Sequence, residues 1–263
     1  MTVTTIRNTV TVCLLMIGLC IHPTLHAADG HADPHWTYDE QQSWGELKDP
    51  LYKPPYPYAE CGIGQKQSPV NIDPQEAIKV EKIDELQTRY VDIPLSLTNN
   101  GHTIRANTAL GSLYFGNNEY DLVQFHFHAP SEHLVNGVSY PMEIHFVNGT
   151  ADGRMAVLGV LVKAGAFNPA FQEILDQSPS QTGQTHETAL MIRPSQLLPE
   201  HSEHFYTYAG SLTTPPCSEG VQWFILQEFL EVSEQQIVGF TQKFFKDNAR
   251  SDQHLNGRKL DMH

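Results

Sequence analysis

Three histidines in two short runs carry the chemistry of this sequence: His126 and His128 in Tyr120-Asp-Leu-Val-Gln-Phe-His-Phe-His128, and His145 in Met142-Glu-Ile-His-Phe146. Side chains alternate faces along a strand, so Gln124, His126 and His128 point one way while Phe125 and Phe127 point the other. Residues two apart on one face are separated by about 7 Å, and two imidazoles at that spacing can share a metal ion. In the second run Glu143 and His145 share a face by the same rule. A hairpin or near-neighbour pairing past the turn at Asn136-Gly137 brings the third ring to the first two. Three neutral nitrogen ligands with a fourth position open to water are the catalytic, not the structural, arrangement of zinc. Each strand also places an acceptor two residues before a histidine, Gln124 before His126 and Glu143 before His145. These can take the other ring N–H and fix its tautomer, while His128 needs a backbone carbonyl for the same purpose. A lone His-x-His is more often a packed or surface pair; the third histidine and the acceptors on the same face favour the metal.

The elements that position these residues are strands. Short apolar or alternating runs between turn signals predict strands over Leu95–Thr98, Leu110–Phe115, Tyr120–His128, Met142–Val147, Met155–Lys163 and Gln222–Phe229. Helical periodicity is confined to Asn168–Gln177, which opens on Asn-Pro, and to Ser233–Lys246. The architecture is therefore mainly β with short helices, dominated by a single large sheet. From Ala28 to Glu60 the chain is rich in Pro, Tyr and Trp, and Pro50, Pro54, Pro55 and Pro57 block regular structure. This stretch reads as a segment wrapped over the surface and pinned by aromatics.

At the N-terminus, Arg7, the apolar run Val10–Ile21 and the small residues Ala27-Ala28 read as a signal peptide over 1–27. The run is too short to span a bilayer, which needs about 20 apolar residues, and no later run approaches that length. Lipidation at Cys20 is disfavoured by the bulky Leu19 before it. Export would leave a single domain, 28–263, of about 235 residues, enough for a well-buried core. It would also leave Cys61 and Cys217, which in an oxidising compartment form a disulfide; two free buried thiols are the alternative. The expected location is periplasmic or extracellular. With 30 acidic against 16 basic residues and no basic cluster, nucleic acid is not an expected partner.

Gln124-Phe-His-Phe-His128, Pro130-Ser-Glu-His133, Glu143-Ile-His145 and Gly210-Ser-Leu-Thr-Thr-Pro-Pro-Cys217 together resemble the α-class carbonic anhydrases. So do His35-Trp-Thr-Tyr38, Gln67-Ser-Pro-Val-Asn-Ile72 and Asn99-Asn-Gly-His-Thr103, in the family's order and across the mature chain. The resemblance implies a mostly antiparallel twisted sheet of about ten strands with zinc at the base of a conical cavity. It implies reversible hydration of carbon dioxide to bicarbonate and a proton by zinc-bound hydroxide. Cys61 and Cys217 fall where secreted and bacterial members carry a disulfide.

The family's roles map onto residues of this chain. Zinc lowers the pKa of its water to about 7, a figure that comes from carbonic anhydrases themselves. Thr213 is expected to donate its hydroxyl proton to Glu132 and accept one from the hydroxide, because an ionised carboxylate can only accept. Thr214 beside it is expected to contact bicarbonate or an inhibitor. Val147, Val157, Leu212, Val221 and Trp223 match the apolar wall where carbon dioxide waits, although core packing alone would explain any one of them. His102 matches the proton-shuttle histidine, with Tyr38 and Asn100 completing a water relay. Arg105 stands where a small polar residue is common, and its charge is expected to depress the His102 pKa. His133 reads as a buried structural hydrogen-bonder, and His31, His186, His201, His204, His254 and His263 read as surface residues. After Arg250 the family's usual proline is missing.

Two rival functions remain. A carbonic-anhydrase-related binding protein would have lost zinc ligands, and all three are present. A zinc esterase could use the same hydroxide, but a narrow apolar pocket suits a smaller substrate. Bacterial relatives often dimerise, so a homodimer is one open oligomeric state, and carbon supply, acid resistance and pH homeostasis are open as physiological tasks.

Overall fold

The structure, a computed structural model, describes residues 33–81, 84–244 and 247–263. The expected signal peptide 1–27, with Cys13 and Cys20, and His31 lie outside the described residues. Each of the six expected strands is present, its ends displaced by at most three residues, as is usual where termini are read from pattern alone. Ten strands form one path, in the spatial order Thr185–Ile192, Ile93–Asn99, Ile104–Asn107, Asn118–His128, Met142–Gly149, Met155–Ala164, Glu219–Leu226, Phe205–Ser211, Asp261–Met262 and Ile78–Lys79. Leu86–Arg89, Ser112–Phe115 and Leu230–Val232 join at its sides, so the described residues place thirteen strands in the sheet. Pairing is antiparallel except where Met155–Ala164 meets Glu219–Leu226 and Leu230–Val232, and where Asp261–Met262 meets Ile78–Lys79.

The sheet has two unlike faces. On Met142–Gly149 the side chains of Met142, Ile144 and Phe146 join the larger apolar core, while Glu143 and His145 turn to the opposite face. Both faces are covered, so nearly every residue of this strand is buried. The larger core is closed by the helices Pro169–Gln177 and Glu234–Lys243, which contribute Phe171, Ile174, Leu175 and Phe240. Both helices start where capping chemistry allows. The Asn168 side chain accepts from Phe171 N–H, and Ser233 with Gln236 forms a reciprocal capping box.

The ligand-bearing strand, Asn118–His128, contains a bulge between Leu122 and Gln124, where Val123 is the additional residue. Tyr120 and Leu122 before it, and Phe125 and Phe127 after it, all enter the same core cluster. One extra residue thus shifts which numbers face inward, and Gln124, His126 and His128 emerge together on the other face. The turn at Asn136-Gly137 has positive φ at both residues and is closed by paired hydrogen bonds between Val135 and Val138, a two-residue hairpin turn.

Within the N-terminal stretch, Tyr38–Glu46 is 3₁₀-helical with a kink at Glu40, ahead of the prolines that block regular structure over much of the stretch. The prolines lie after it, from Pro50 onward, so nothing in their chemistry opposes it. Trp44 is its anchor, fully buried, its indole N–H donating to Thr37 carbonyl at 2.8 Å. Cys61 and Cys217 are disulfide-bonded, closing a loop of 156 residues.

Candidate metal centre

Strand register brings the three histidines together. His126 and His145 are directly paired across neighbouring antiparallel strands, and His128 lies one step along the same face. Each ring spends one nitrogen on a fixed acceptor. Nδ1 of His126 meets Gln124 Oε1 at 2.8 Å, Nδ1 of His128 meets the Asn248 carbonyl at 2.7 Å, and Nε2 of His145 meets Glu143 Oε1 at 2.9 Å. A carbonyl or carboxylate can only accept, so in each case the histidine donates and its other nitrogen is left as a lone pair. One ligand atom from each histidine lies within 4.8 Å of the others. His128 Nε2 is buried without a hydrogen bond, as a nitrogen meant for a metal would be.

Electrostatics keeps the rings neutral. His126 is held well below the usual imidazole range, first by burial and then by the charges of His128, His145 and Arg105. Burial likewise lowers His145 and brings His128 down to about 4. Neutral imidazole is the form that binds a divalent cation. The fit to zinc is that of the donor set: three nitrogens, borderline-soft, converging from two rigid strands.

A second group, His133, Glu143 and His145, is equally close-set but chemically closed. Glu143 accepts from the backbone N–H groups of Glu132 and His133 at 2.9 and 2.8 Å as well as from the rings of His133 and His145. Against the upward push of burial, the two histidines carry its pKa well below the usual carboxylate range. His133 Nε2 meets the Tyr208 hydroxyl at 2.7 Å, and that hydroxyl meets Ser68 Oγ at 2.9 Å. With no free lone pair directed inward, this group is a brace behind His145. It also needs Gly159 beside it, since a Cβ there would stand 2.6 Å from Ile225 Cδ1 and 3.0 Å from Glu143 Oε1.

Glu132 is buried next to the cluster, its Oε2 at 3.5 Å from His128 Nε2 and 3.8 Å from His145 Nδ1. Oε1 accepts from the Arg250 backbone N–H at 2.8 Å, whereas Oε2 has no hydrogen bond of good geometry. Burial raises its pKa to about 7 against the opposing pull of His145, Arg250 and the Thr213 hydroxyl. Thr213 is itself buried, and Thr214 lines a cavity of about 130 Å³ that also reaches Tyr38, Asn100, His102, His126 and His128. Val147, Val157, Val221 and Trp223 form one apolar cluster with Leu212 packed against it, and the Trp223 ring lies 4.9 Å from that of His145.

The cavity mouth differs in detail from expectation. His102 is half-buried and lies flat on Trp36, ring centroids 3.7 Å apart and planes within 8°. Its pKa is lowered by burial first and then by His35, whose ring is 6.5 Å away; the Arg105 charge bears on His126 instead. Arg105 is paired with His126 across the strands, which is why its charge acts there. Asn100 Oδ1 accepts from the backbone N–H groups of His102 and Thr103 and so shapes the turn that carries His102. The Tyr38 hydroxyl is buried without a partner, and burial, then Glu132 and Asp247, raise its pKa well above the usual phenol value. His263, expected at the surface, is stacked on Phe205 at 4.6 Å.

Two residues escaped the sequence reading. Besides the carbonyl that takes His128 N–H, Asn248 uses its carboxamide to bind Ala129 N–H and the carbonyls of His102 and Phe127. Arg250 sets Glu132 through its backbone and ties Gln67, Ser68 and Cys61 through its guanidinium. The spacing Asn248-x-Arg250 in an irregular C-terminal stretch was the available signal, and it has no periodicity to flag it.

Comparison with known proteins gives a consistent result. Residues 41–262 match the sequence profile of the eukaryotic-type carbonic anhydrases. A carbonic anhydrase of Nostoc sp. is 41% identical over 221 residues, 82% of this chain and 80% of its own length. One from Pectobacterium atrosepticum is 36% identical over 248 residues, 93% and 95% of the two chains. The α-carbonic anhydrase of Thermovibrio ammonificans, solved with the inhibitor sulfanilamide, superposes with a TM-score of 0.81 at 39% identity, covering 87% of this chain and 99% of that one.

Proposed function

This chain belongs to the eukaryotic-type, or α, carbonic anhydrase family of enzymes, and on that premise we propose that His126, His128 and His145 hold one catalytic zinc ion. Membership implies reversible hydration of carbon dioxide. The observation that carries the zinc reading is the convergence of three ring nitrogens while the opposite nitrogens are tied to Gln124, Asn248 and Glu143. Zinc, when bound, supplies a Lewis acid that acidifies water at neutral pH.

The chain's own residues do the rest. Glu132 in its ionised form can only accept, so Thr213 donates to it and turns an oxygen lone pair toward the reacting water. Thr213 N–H and Thr214 receive the oxygens of the substrate, and Val147, Val157, Leu212, Val221 and Trp223 offer carbon dioxide an apolar wall. His102 takes the proton to buffer across water ordered by Tyr38. Residues 1–27 serve as an export leader and 28–263 as the catalytic domain, in the periplasm or outside the cell. The Cys61–Cys217 bond supports export, since such bonds persist in oxidising compartments. Among the described residues no helix is long and apolar enough to cross a membrane.

Stopped-flow hydration of carbon dioxide, measured before chelation, after it, and after zinc is returned, tests the reading. Activity that survives complete removal of the metal sinks it. Ester hydrolysis run in parallel, if faster relative to the uncatalysed rate than hydration, would favour the esterase alternative.

A further inference from the structure

Hydration of a neutral gas does not require a positive charge on the cavity wall, yet this cavity has one. The sequence is acidic overall, but no Asp or Glu lines the cavity and Arg105 is its one lining Lys or Arg. Arg105 lies on Ile104–Asn107, directly across from His126, where paired side chains stand about 5 Å apart at Cβ. Its Nε is buried without a hydrogen bond, and among the described residues its guanidinium forms no ion pair. Two amide oxygens line the same cavity, and each is hydrogen-bonded to a group other than Arg105: Asn100 Oδ1 takes two backbone N–H groups, and Gln124 Oε1 takes the His126 N–H. A buried guanidinium donor without an acceptor is costly unless something arrives to accept from it.

What fits is a small planar anion. Guanidinium presents its donors in a flat fork that matches two oxygens on one carbon, and it stays charged at every physiological pH. The geometry points to Arg105 as an anion-binding residue on the cavity wall, holding bicarbonate beside the histidine cluster. This rests on the carbonic anhydrase reading, which makes bicarbonate the anion present. Arg105 thereby tightens the enzyme's hold on bicarbonate over carbon dioxide. An enzyme cannot move the equilibrium between the two, so any change in kcat/KM on altering Arg105 must be equal in both directions. A selective effect appears in the KM for bicarbonate.

The test uses the zinc-loaded full-length protein with Arg105→Gln and Arg105→Lys. The KM for bicarbonate is read in dehydration and that for carbon dioxide in hydration, and the Kd of acetate, a carboxylate that does not react, is read by NMR titration. Loss of a charge-assisted, partly exposed contact should raise the bicarbonate KM and the acetate Kd on the order of tenfold in Arg105→Gln, with a much smaller change in the KM for carbon dioxide. Lysine keeps the charge but not the fork, and should recover part of the loss. Bicarbonate KM and acetate Kd both at wild-type values in a folded Arg105→Gln protein overturn the assignment. Should the wild type fail to hydrate carbon dioxide yet bind acetate through Arg105, the anion site stands and the reaction assigned to the protein falls.

Discussion

His126 and His133 both pack against His145, with ring centroids 5.2 and 6.1 Å from it, yet they belong to chemically opposite regions. Around His133 each inward-facing nitrogen and oxygen has its partner, through Glu143, Tyr208 and Ser68. Around His126 one nitrogen per ring is fixed and the other is left over. The two groups have nearly the same residue types and burial. What separates a ligand from a brace is the number of hydrogen-bonding valences that the protein leaves unspent.

Removing one member from each region should expose that difference. His126→Ala is expected to bring carbon dioxide hydration to background with loss of bound zinc, while the metal-free fold, relieved of a lowered imidazole, changes little in urea unfolding. His133→Ala should instead leave buried Glu143 and the buried Tyr208 hydroxyl each one hydrogen bond short, open a cavity behind His145, and cost about 3 kcal/mol of stability. A His133→Ala protein as stable as the wild type would erase the distinction between ligand and brace.

The next effect is set by pH and belongs to the metal-free protein. His126, His128 and His145 have folded pKa values below the ordinary 6.5. The unfolded chain therefore gains protons at these three sites first as pH falls. Their contribution to stability is complete above pH 6.5 and is lost as pH drops toward about 4, where folded His128 titrates. For His128 alone the loss amounts to about 3 kcal/mol. Glu132, raised to about 7, works the other way, adding stability between pH 7 and its ordinary 4.5. One carboxyl against three imidazoles leaves a net loss. Urea midpoints of the chelated protein that are level from pH 7 to pH 4.5 would contradict the argument.

The smallest effect concerns a histidine that is neither ligand nor brace. His102→Ala should lower kcat on the order of ten- to hundredfold in dilute buffer, with recovery when imidazole is supplied. An undiminished kcat in dilute buffer would remove His102 from the proton's path.

Reading along the chain found the ligands because they sit on regular strands, where spacing translates directly into direction. Gln124 and Glu143 were legible for the same reason, and the Asn168-Pro169 start announced its helix by side-chain chemistry. Asn248 and Arg250 were not legible, because they lie in an irregular segment and reach His128 and Glu132 through backbone atoms, which every residue type carries. The strands Ile104–Asn107, Thr185–Ile192 and Phe205–Ser211 were missed for other reasons. The first is only four residues long, the second is largely exposed, and in the third polar Thr207 and Ser211 are buried among the apolar positions. The Arg105 charge was noticed but assigned to the wrong neighbour, since cross-strand register is invisible in one dimension.

The additional residue at Val123 gives the ligand strand an allowance in length at one point only. Leu122 pairs with Asn148 and Gln124 with Val147, so removing Val123 would restore plain alternation and leave Phe125 and Phe127 in the core with His126 and His128 on the opposite face. Beyond Gln124 there is no such slack, and one residue inserted between Gln124 and Phe125 without a compensating slip would exchange the contents of the two faces. Phe125 and Phe127 would turn to the cavity and both histidines would be driven into hydrocarbon, a mutation in which every original residue is retained and the enzyme is nonetheless lost.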